Sequence, residues 1–445
     1  MTVVAPRTRI DVALPSDVSV ADLLPMVLDM ARENAPDGGS RHGGWCLAKL
    51  GEAAIDPGRT LGSLGIVDGD LLQLRRRAEN PPPPMFDDVV DAIAVSDPDS
   101  FRPWTEATAG SMGRIAGGLA LLAATLAVLL AGPAIATPIV AGGAAMLAVA
   151  AGAVIVRVYR DVTTGVLVAA AGPPLAFVCG LYAVPGAIGP PNLLLGSVLA
   201  LVFAAAAIMV IGRGITTFVA IAAAAALSAA ASLVATLVEH PVAGIAAGAA
   251  AVALGGISLL PRVTIQLSKL PLPQVPSNAE DLAEDTGFPD YAAIERRAGI
   301  AHEYLTGMII GCGAVAAVGA VLAASGGVFG VIMGAVVAAV LLLRARSYAN
   351  GSQAIALLVS GMVAVAGLVM AWLPTASTFA LLLLAFGGLA VLAALALVLG
   401  VVFPTRRFSP PMRRSVDIIE AVLIASVLPL ALAVMDLYQT FRQLS

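Results

Sequence analysis

The chain has 445 residues, 59% of them hydrophobic and 12% charged, with a formal net charge of −4. A soluble protein cannot hide that much apolar surface, so a membrane protein is expected. The mild acidity points away from a nucleic-acid partner.

The first residues, to about Arg77, read as a small α/β domain. Thr8 to Leu14 alternates, with Ile10, Val12 and Leu14 on one face, and Val3 to Ala5 can form a short strand before it. Val20, Leu23, Leu24, Val27, Leu28 and Ala31 recur at helical spacing. Ser19 and Asp22 suit the start of that helix, with Val18 and Leu23 as a staple. Pro25 conflicts with this reading and moves the expected start to near Leu24, which puts the proline in the first turn. Trp45 to Lys49 is a further strand region, and Thr60 to Ile66 is turn-rich. Asp68-Gly69-Asp70 turns into a last strand, Leu71 to Arg75. Hairpin, helix, strand, short turn and strand is the order of a β-grasp (α+β) domain. Its ending, Leu61, Leu64-Gly65-Ile66, Asp68-Gly69-Asp70, Leu72 and Leu74, is similar to ubiquitin-like domains. Arg75, Arg76 and Arg77 stand where a conjugation tail would be, so a docking module fits better than a modifier.

Residues 79–111 read as a linker. Pro81 to Pro84 is stiff polyproline. Met85, Phe86, Val89, Val90 and Ile93 line one face of a short helix, and Asp87, Asp88 and Asp91 line the other. Anionic lipid would repel that acidic face, so Phe86 and Val90 are candidates for docking onto protein. Phe101 and Trp104 suit an aromatic anchor at headgroup depth.

Residues 112–445 hold eleven apolar stretches long enough to span a bilayer. They run at about Ile115–Ala131, Pro138–Val156, Val162–Tyr182, Pro191–Ile211, Ile215–Val238, Pro241–Leu260, Tyr304–Ala324, Gly327–Leu343, Ser352–Trp372, Phe379–Phe403 and Val416–Met435. Of the 25 Lys and Arg, eleven precede the first span and thirteen fall in alternate loops, with Arg442 left in the last residues. The intervening loops, such as Gly132 to Thr137 and Ala183 to Pro190, hold none. The positive-inside rule then makes the amino terminus cytoplasmic and the carboxyl terminus periplasmic. No charged start, short apolar run and cleavage site open the chain, so no cleaved signal peptide is expected.

Within the spans, no Asp, Glu, Lys, Arg or His lies near a centre. Charges at midplane persist mainly for function, so a proton-coupled transporter or an ion pore within one subunit is disfavoured. Asp417, Glu420 and Asp436 lie near the ends of the last span, where interface solvation or pairing with Arg413 or Arg414 is expected. His42, His240 and His302 are scattered and form no ligand cluster or triad. Cys46, Cys179 and Cys312 lack metal-type spacing and read as small buried hydrophobes. Gly212-Arg213-Gly214 has no phosphate-loop context, and no Walker motif occurs. These absences predict no enzyme, metal or cofactor.

Small residues make the strongest pattern. Gly307 and Gly311 lie one turn apart, Gly326, Gly330 and Gly334 continue the spacing, and Gly244 and Gly248 repeat it. Packing within one subunit is the expected use, with a dimer seam as the alternative. The fifth span, with Ala222 to Ala226, Ser228 and Ser232, also reads as tight packing. Pro173 and Pro174 interrupt the third span and Pro429 the last, and structural kinks are expected. The largest inner loop, 262–303, carries an acidic helix capped by Ser277. Tyr291 to Ala298, with Arg296 and Arg297, is expected to extend the seventh span inward. Tyr291, Arg296 and Arg297 are candidate docking residues.

A ubiquitin-like head before eleven spans resembles the EccD family, the polytopic membrane component of mycobacterial type VII (ESX) secretion systems. The resemblance rests on Thr8-Arg9-Ile10-Asp11-Val12-Ala13-Leu14-Pro15, Ala21-Asp22-Leu23-Leu24-Pro25, Leu61 to Asp70 and the span count. The first strand looks shorter than in related chains. The resemblance implies a non-enzymatic scaffold in the bacterial inner membrane, working as a homodimer with EccB, EccE and the FtsK/SpoIIIE-type ATPase EccC. It also implies a head that contacts the membrane-proximal part of EccC, and exported helical-hairpin dimers. Walls this apolar suit a dimer cavity that holds lipid rather than water. The alternative reading is a small-molecule permease with a regulatory β-grasp head, suggested by the span number and the broken third helix.

Overall fold

The computed structural model describes residues 1–6, 8–31, 44–49, 54–67, 69–76, 104–270, 291–402 and 410–437. The chain divides into two compact units, Met1–Trp104 and Thr105–Ser445.

In the first unit, strands β1 (Thr2–Val4), β2 (Arg9–Asp11), β3 (Trp45–Lys49) and β4 (Leu71–Arg76) form one sheet in the order β2-β1-β4-β3. β1 pairs antiparallel with β2 and parallel with β4, and β4 pairs antiparallel with β3. The parallel pair needs a crossover, and helix α1 (Val20–Ala31) supplies it. Alternation along the strands puts Val3, Leu47, Leu72 and Leu74 on one face of the sheet. Leu23, Val27 and Ala31, at helical spacing on α1, close over that face together with Leu61.

The start of α1 differs from the sequence expectation. The helix begins at Val20 and continues through Pro25. Ser19 caps it, accepting from the Asp22 amide at 3.3 Å while its hydroxyl donates to the Asp22 carboxylate at 2.6 Å. Pro25 has no amide to donate to the Ala21 carbonyl one turn back. Both residues are exposed, so water can take the freed carbonyl and the helix tolerates the proline.

The second unit is helical. Its elements are α2 (Glu106–Leu130), α3 (Ala136–Val154), α4 (Val162–Ala170), α5 (Gly172–Ala183), α6 (Pro190–Ile211) and α7 (Ile215–Leu237). They continue with α8 (Val242–Ile257), α9 (Leu260–Leu267), α10 (Tyr291–Ala323), α11 (Val328–Arg344), α12 (Gly351–Trp372), α13 (Gly387–Val402) and α14 (Pro410–Val434). Among the described residues, nine helices are long and apolar enough to cross a membrane, or ten if α8 and α9, bent by 63°, form one span. A shorter apolar helix runs over Thr378–Ala394. This is a multi-pass membrane protein, and the bent pair and the short helix coincide with the sixth and tenth of the eleven expected segments.

The main core is built around α10. Ile309, Cys312, Ala316 and Ala320 of α10 are buried with Ala250, Ala253 and Ile257 of α8, Met333, Val337 and Leu341 of α11, and Leu357 of α12. The turn Gly212-Arg213-Gly214 has a structural explanation. Both glycines take φ near +65°, closing α6 and opening α7 in the left-handed region that side chains rarely occupy. Asp161 caps α4 through the Thr164 hydroxyl (2.5 Å) and amide (3.0 Å), and these bonds hold its carboxyl below the usual range.

Candidate functional site

Of the docking candidates in the head, Arg76 lies over the Trp45 ring at 5.6 Å from the centroid, a cation–π contact across the β3–β4 pair. Arg75 sits opposite Cys46, whose thiol donates to the Arg75 carbonyl. Arg77, Phe86 and Val90 lie outside the described residues, as do the polyproline run and the acidic helix expected in the loop 262–303. Tyr291 opens α10 and is exposed. Arg297 donates to the Lys269 carbonyl at 2.9 Å, tying the start of α10 to the end of α9. Arg296 is exposed beside it. The helix that carries these three is continuous with the seventh expected span, since α10 is unbroken over 33 residues.

The glycines named from sequence all meet helices of the same chain. A side-chain carbon at Gly307 would stand 2.7 Å from the Thr216 carbonyl oxygen, and one at Gly311 would stand 2.5 Å from that of Ala220. These positions let α10 lie against the backbone of the alanine-rich α7. Gly326 faces Ala243 and Val434, Gly330 packs on the carbonyl of Ala323, and Gly334 faces the Ala320 carbonyl and Leu368. Gly244 meets Met435. Comparably close contacts occur where the sequence shows no ladder of glycines. Gly152 faces Gly165 and Ala169, and Gly180 faces Gly196. Those pairs join different helices, so a search along one helix cannot find them.

The proline pair sits where expected and acts locally. α4 ends at Ala170, Ala171 forms a turn, and Pro173 and Pro174 lie in the first turn of α5, where missing amides cost least. The break is dry. Ala171, Gly172, Pro173, Leu175 and Ala176 are buried, and a carbon on Gly172 would strike Val149 at 2.6 Å. Pro429 lies inside α14, which runs on to Val434. An apolar groove of about 360 Å³ between α11 and α12 is lined by Val331, Ala338, Leu342, Leu368 and Trp372, which offer hydrocarbon to anything inside apart from the indole N–H.

The last span carries a correction. Asp417 and Glu420 do not pair with Arg413 or Arg414. Arg346, just past α11, donates to Asp417 at 2.6 Å and to Glu420 at 3.0 Å. Arg344 lies 3.8 Å from Glu420 and donates to the Ser258 hydroxyl at 2.7 Å. Four charges thus join the end of α11, the base of α14 and the bend between α8 and α9. Beside them, burial pushes the Tyr348 phenol above its usual pKa, with Arg344 opposing.

Comparison with known proteins places this architecture. The model described as "EccD-like transmembrane domain" matches residues 109–444. The chain belongs to the EccD family. The head matches a second model, "WXG100 protein secretion system (Wss), protein YukD", over residues 1–74. The ESX-4 secretion system protein eccD4 of Mycobacterium tuberculosis is 29% identical, over 100% of this chain and 97% of that protein. The ESX-3 secretion system protein EccD3 of Mycolicibacterium smegmatis is 28% identical, over 96% of this chain and 94% of that protein.

The EccD fold is also seen in solved structures. A chain from "Structure of protomer 1 of the ESX-3 core complex" matches with a TM-score of 0.64 at 22% identity, covering 99% of both chains. A chain from "MycP5-free ESX-5 inner membrane complex, State II" matches with a TM-score of 0.56 at 22% identity, over 88% of this chain and 98% of that one. Membership of the EccD family joins a ubiquitin-like YukD head and a polytopic helical domain in one chain, as the residue pattern implied.

Proposed function

We propose that this chain is a non-enzymatic structural subunit of a type VII (ESX) secretion complex in the bacterial inner membrane. One observation carries the reading: a YukD-like head and an EccD-like membrane domain lie on one chain that aligns along nearly its whole length with ESX subunits. The packing agrees with a scaffold. Helices meet through glycine and alanine, and the break at Ala171 is filled by apolar side chains rather than by groups that could hold a polar solute.

The finer reading has eleven spans, with α8–α9 as the sixth and the Thr378–Val402 segment as the tenth. The alternation of basic loops sets the amino terminus in the cytoplasm and the carboxyl terminus in the periplasm. The head and the loop 262–303 then share the cytoplasmic face, where an FtsK/SpoIIIE-type ATPase of the EccC kind would dock. Arg75, Arg76, Arg77, Phe86, Val90, Tyr291, Arg296 and Arg297 are the docking candidates. EccB, EccE and a second copy of this chain complete the expected partners.

Purification of the tagged full chain in mild detergent tests this. Co-recovery of an FtsK/SpoIIIE-type ATPase is expected, and recovery of the chain alone would count against the scaffold. Deleting residues 1–77 is expected to leave insertion intact while abolishing secretion and ATPase recovery. Normal secretion by that variant would remove the docking role of the head.

A further inference from the structure

The packing face of α14 begins with charge and continues without it. Asp417, Glu420, Ile424, Val427, Ala431 and Val434 recur at spacings of three and four, which places them on one side of the helix. Val427, Ala431 and Val434 are buried in the main core, and Glu420 is only 8% exposed. The facing helix ends the same way. Val337 and Leu341 of α11 are buried in the same core, and the next residue at that spacing is Arg344.

Two stripes made of Val, Ile, Leu and Ala fit each other almost as well after a slide of one helical turn, about 5.4 Å. Lipid tails are as apolar as these side chains, so hydrophobicity adds no preference for one register over another. The charges do. A one-turn slide puts either Asp417 or Ile424 where Glu420 stands, so at least one of the largely buried pair Glu420 and Arg344 loses its partner. We propose that Arg344, Arg346, Asp417 and Glu420 form a register pin that fixes the height of the last span against the rest of the bundle. This is a positioning role distinct from tight binding. The Nε of Arg344 is buried without a hydrogen-bond partner, so the cluster is not optimised for stability. A polar group in an apolar seam that sets alignment at some cost in stability is the best-attested use of such groups.

Register is readable at the far end of the helix. A side-chain carbon on Gly244 would lie 3.2 Å from the Met435 backbone, within reach for a disulfide. In the full chain, with Cys46, Cys179 and Cys312 replaced by Ala, Gly244→Cys is paired in turn with Met435→Cys or Ala431→Cys. The pinned protein is expected to oxidise at 435 at least about tenfold faster than at 431, one turn back along α14, because a one-turn slide strands a charge. Adding R344M, R346L, D417L and E420M together is expected to spread cross-linking over the two positions. If that variant does not insert, the near-isosteric pair D417N and E420Q replaces it with the same outcome expected. A tenfold preference for 435 that survives these changes would overturn the pin.

Discussion

The last two helical segments are a controlled contrast. Both are apolar, and both come near the end of the chain. α14 is seated: Val427, Ala431 and Val434 are buried, its base carries the four-charge cluster, and its top meets Gly244 and Gly326. The segment before it, Thr378–Ala380 with the π-helical Leu381–Phe386 and α13, is not. Phe386 is 73% exposed and Leu382 68%, and among its described side chains Ala385 is the buried one. The difference is not hydrophobicity, since α13 is the more uniformly apolar of the two. In hydrocarbon a leucine gains nothing by leaving lipid for a neighbour. Helices are held by close backbone approach at small residues and by polar contacts that lipid cannot offer.

Substitutions on either side can break that contrast. The largest effect is expected from Glu420→Ala, which leaves Arg344 without a carboxylate partner while Arg346 keeps Asp417. A loss of about 3 kcal/mol in unfolding of the detergent-solubilised protein is expected for one partner of a largely buried pair. Gly311→Leu drives a side chain into the Ala220 carbonyl and is expected to cost about 2 kcal/mol in the same measurement. Asp417→Asn removes the more exposed carboxylate, and a loss below about 1 kcal/mol that shrinks as salt is added is expected. On the other helix, Phe386→Ala and Gly387→Ala are expected to stay within about 0.5 kcal/mol of the parent. A loss at Phe386 as large as that at Glu420 would show that the contrast between the two helices is false.

The sequence made the α/β order of the head legible because strand alternation and helical spacing are local signals. Val20, Leu23, Val27 and Ala31, legible by helical spacing alone, are the buried residues of α1. The membrane class was legible from composition, since long apolar stretches leave few alternatives. The partners of Asp417 and Glu420 were not. Arg413 and Arg414 were nearest in sequence, whereas the true partners Arg344 and Arg346 lie 71 to 76 residues away. Those arginines had already been explained as inner-loop charges, which hid their second role. A signal was present, because Asp417 and Glu420 fall on the stripe that Val427, Ala431 and Val434 mark as the packing face. The start of α1 was misplaced for a different reason. Rules for proline assume that the freed carbonyl is hidden, and at Ala21 it is open to water.

The 33 residues of Tyr291–Ala323 form one helix with no proline in its interior. At 1.5 Å per residue it is about 50 Å long, against about 30 Å for the hydrocarbon of a bilayer. The surplus projects as a stiff lever whose other end is embedded at the centre of the main core. A sideways force on Tyr291 or Arg296 has no proline hinge in which to dissipate. It would be delivered as torque to α7, α8, α11 and α12 together, so a push at the membrane surface is felt by the bundle as a whole.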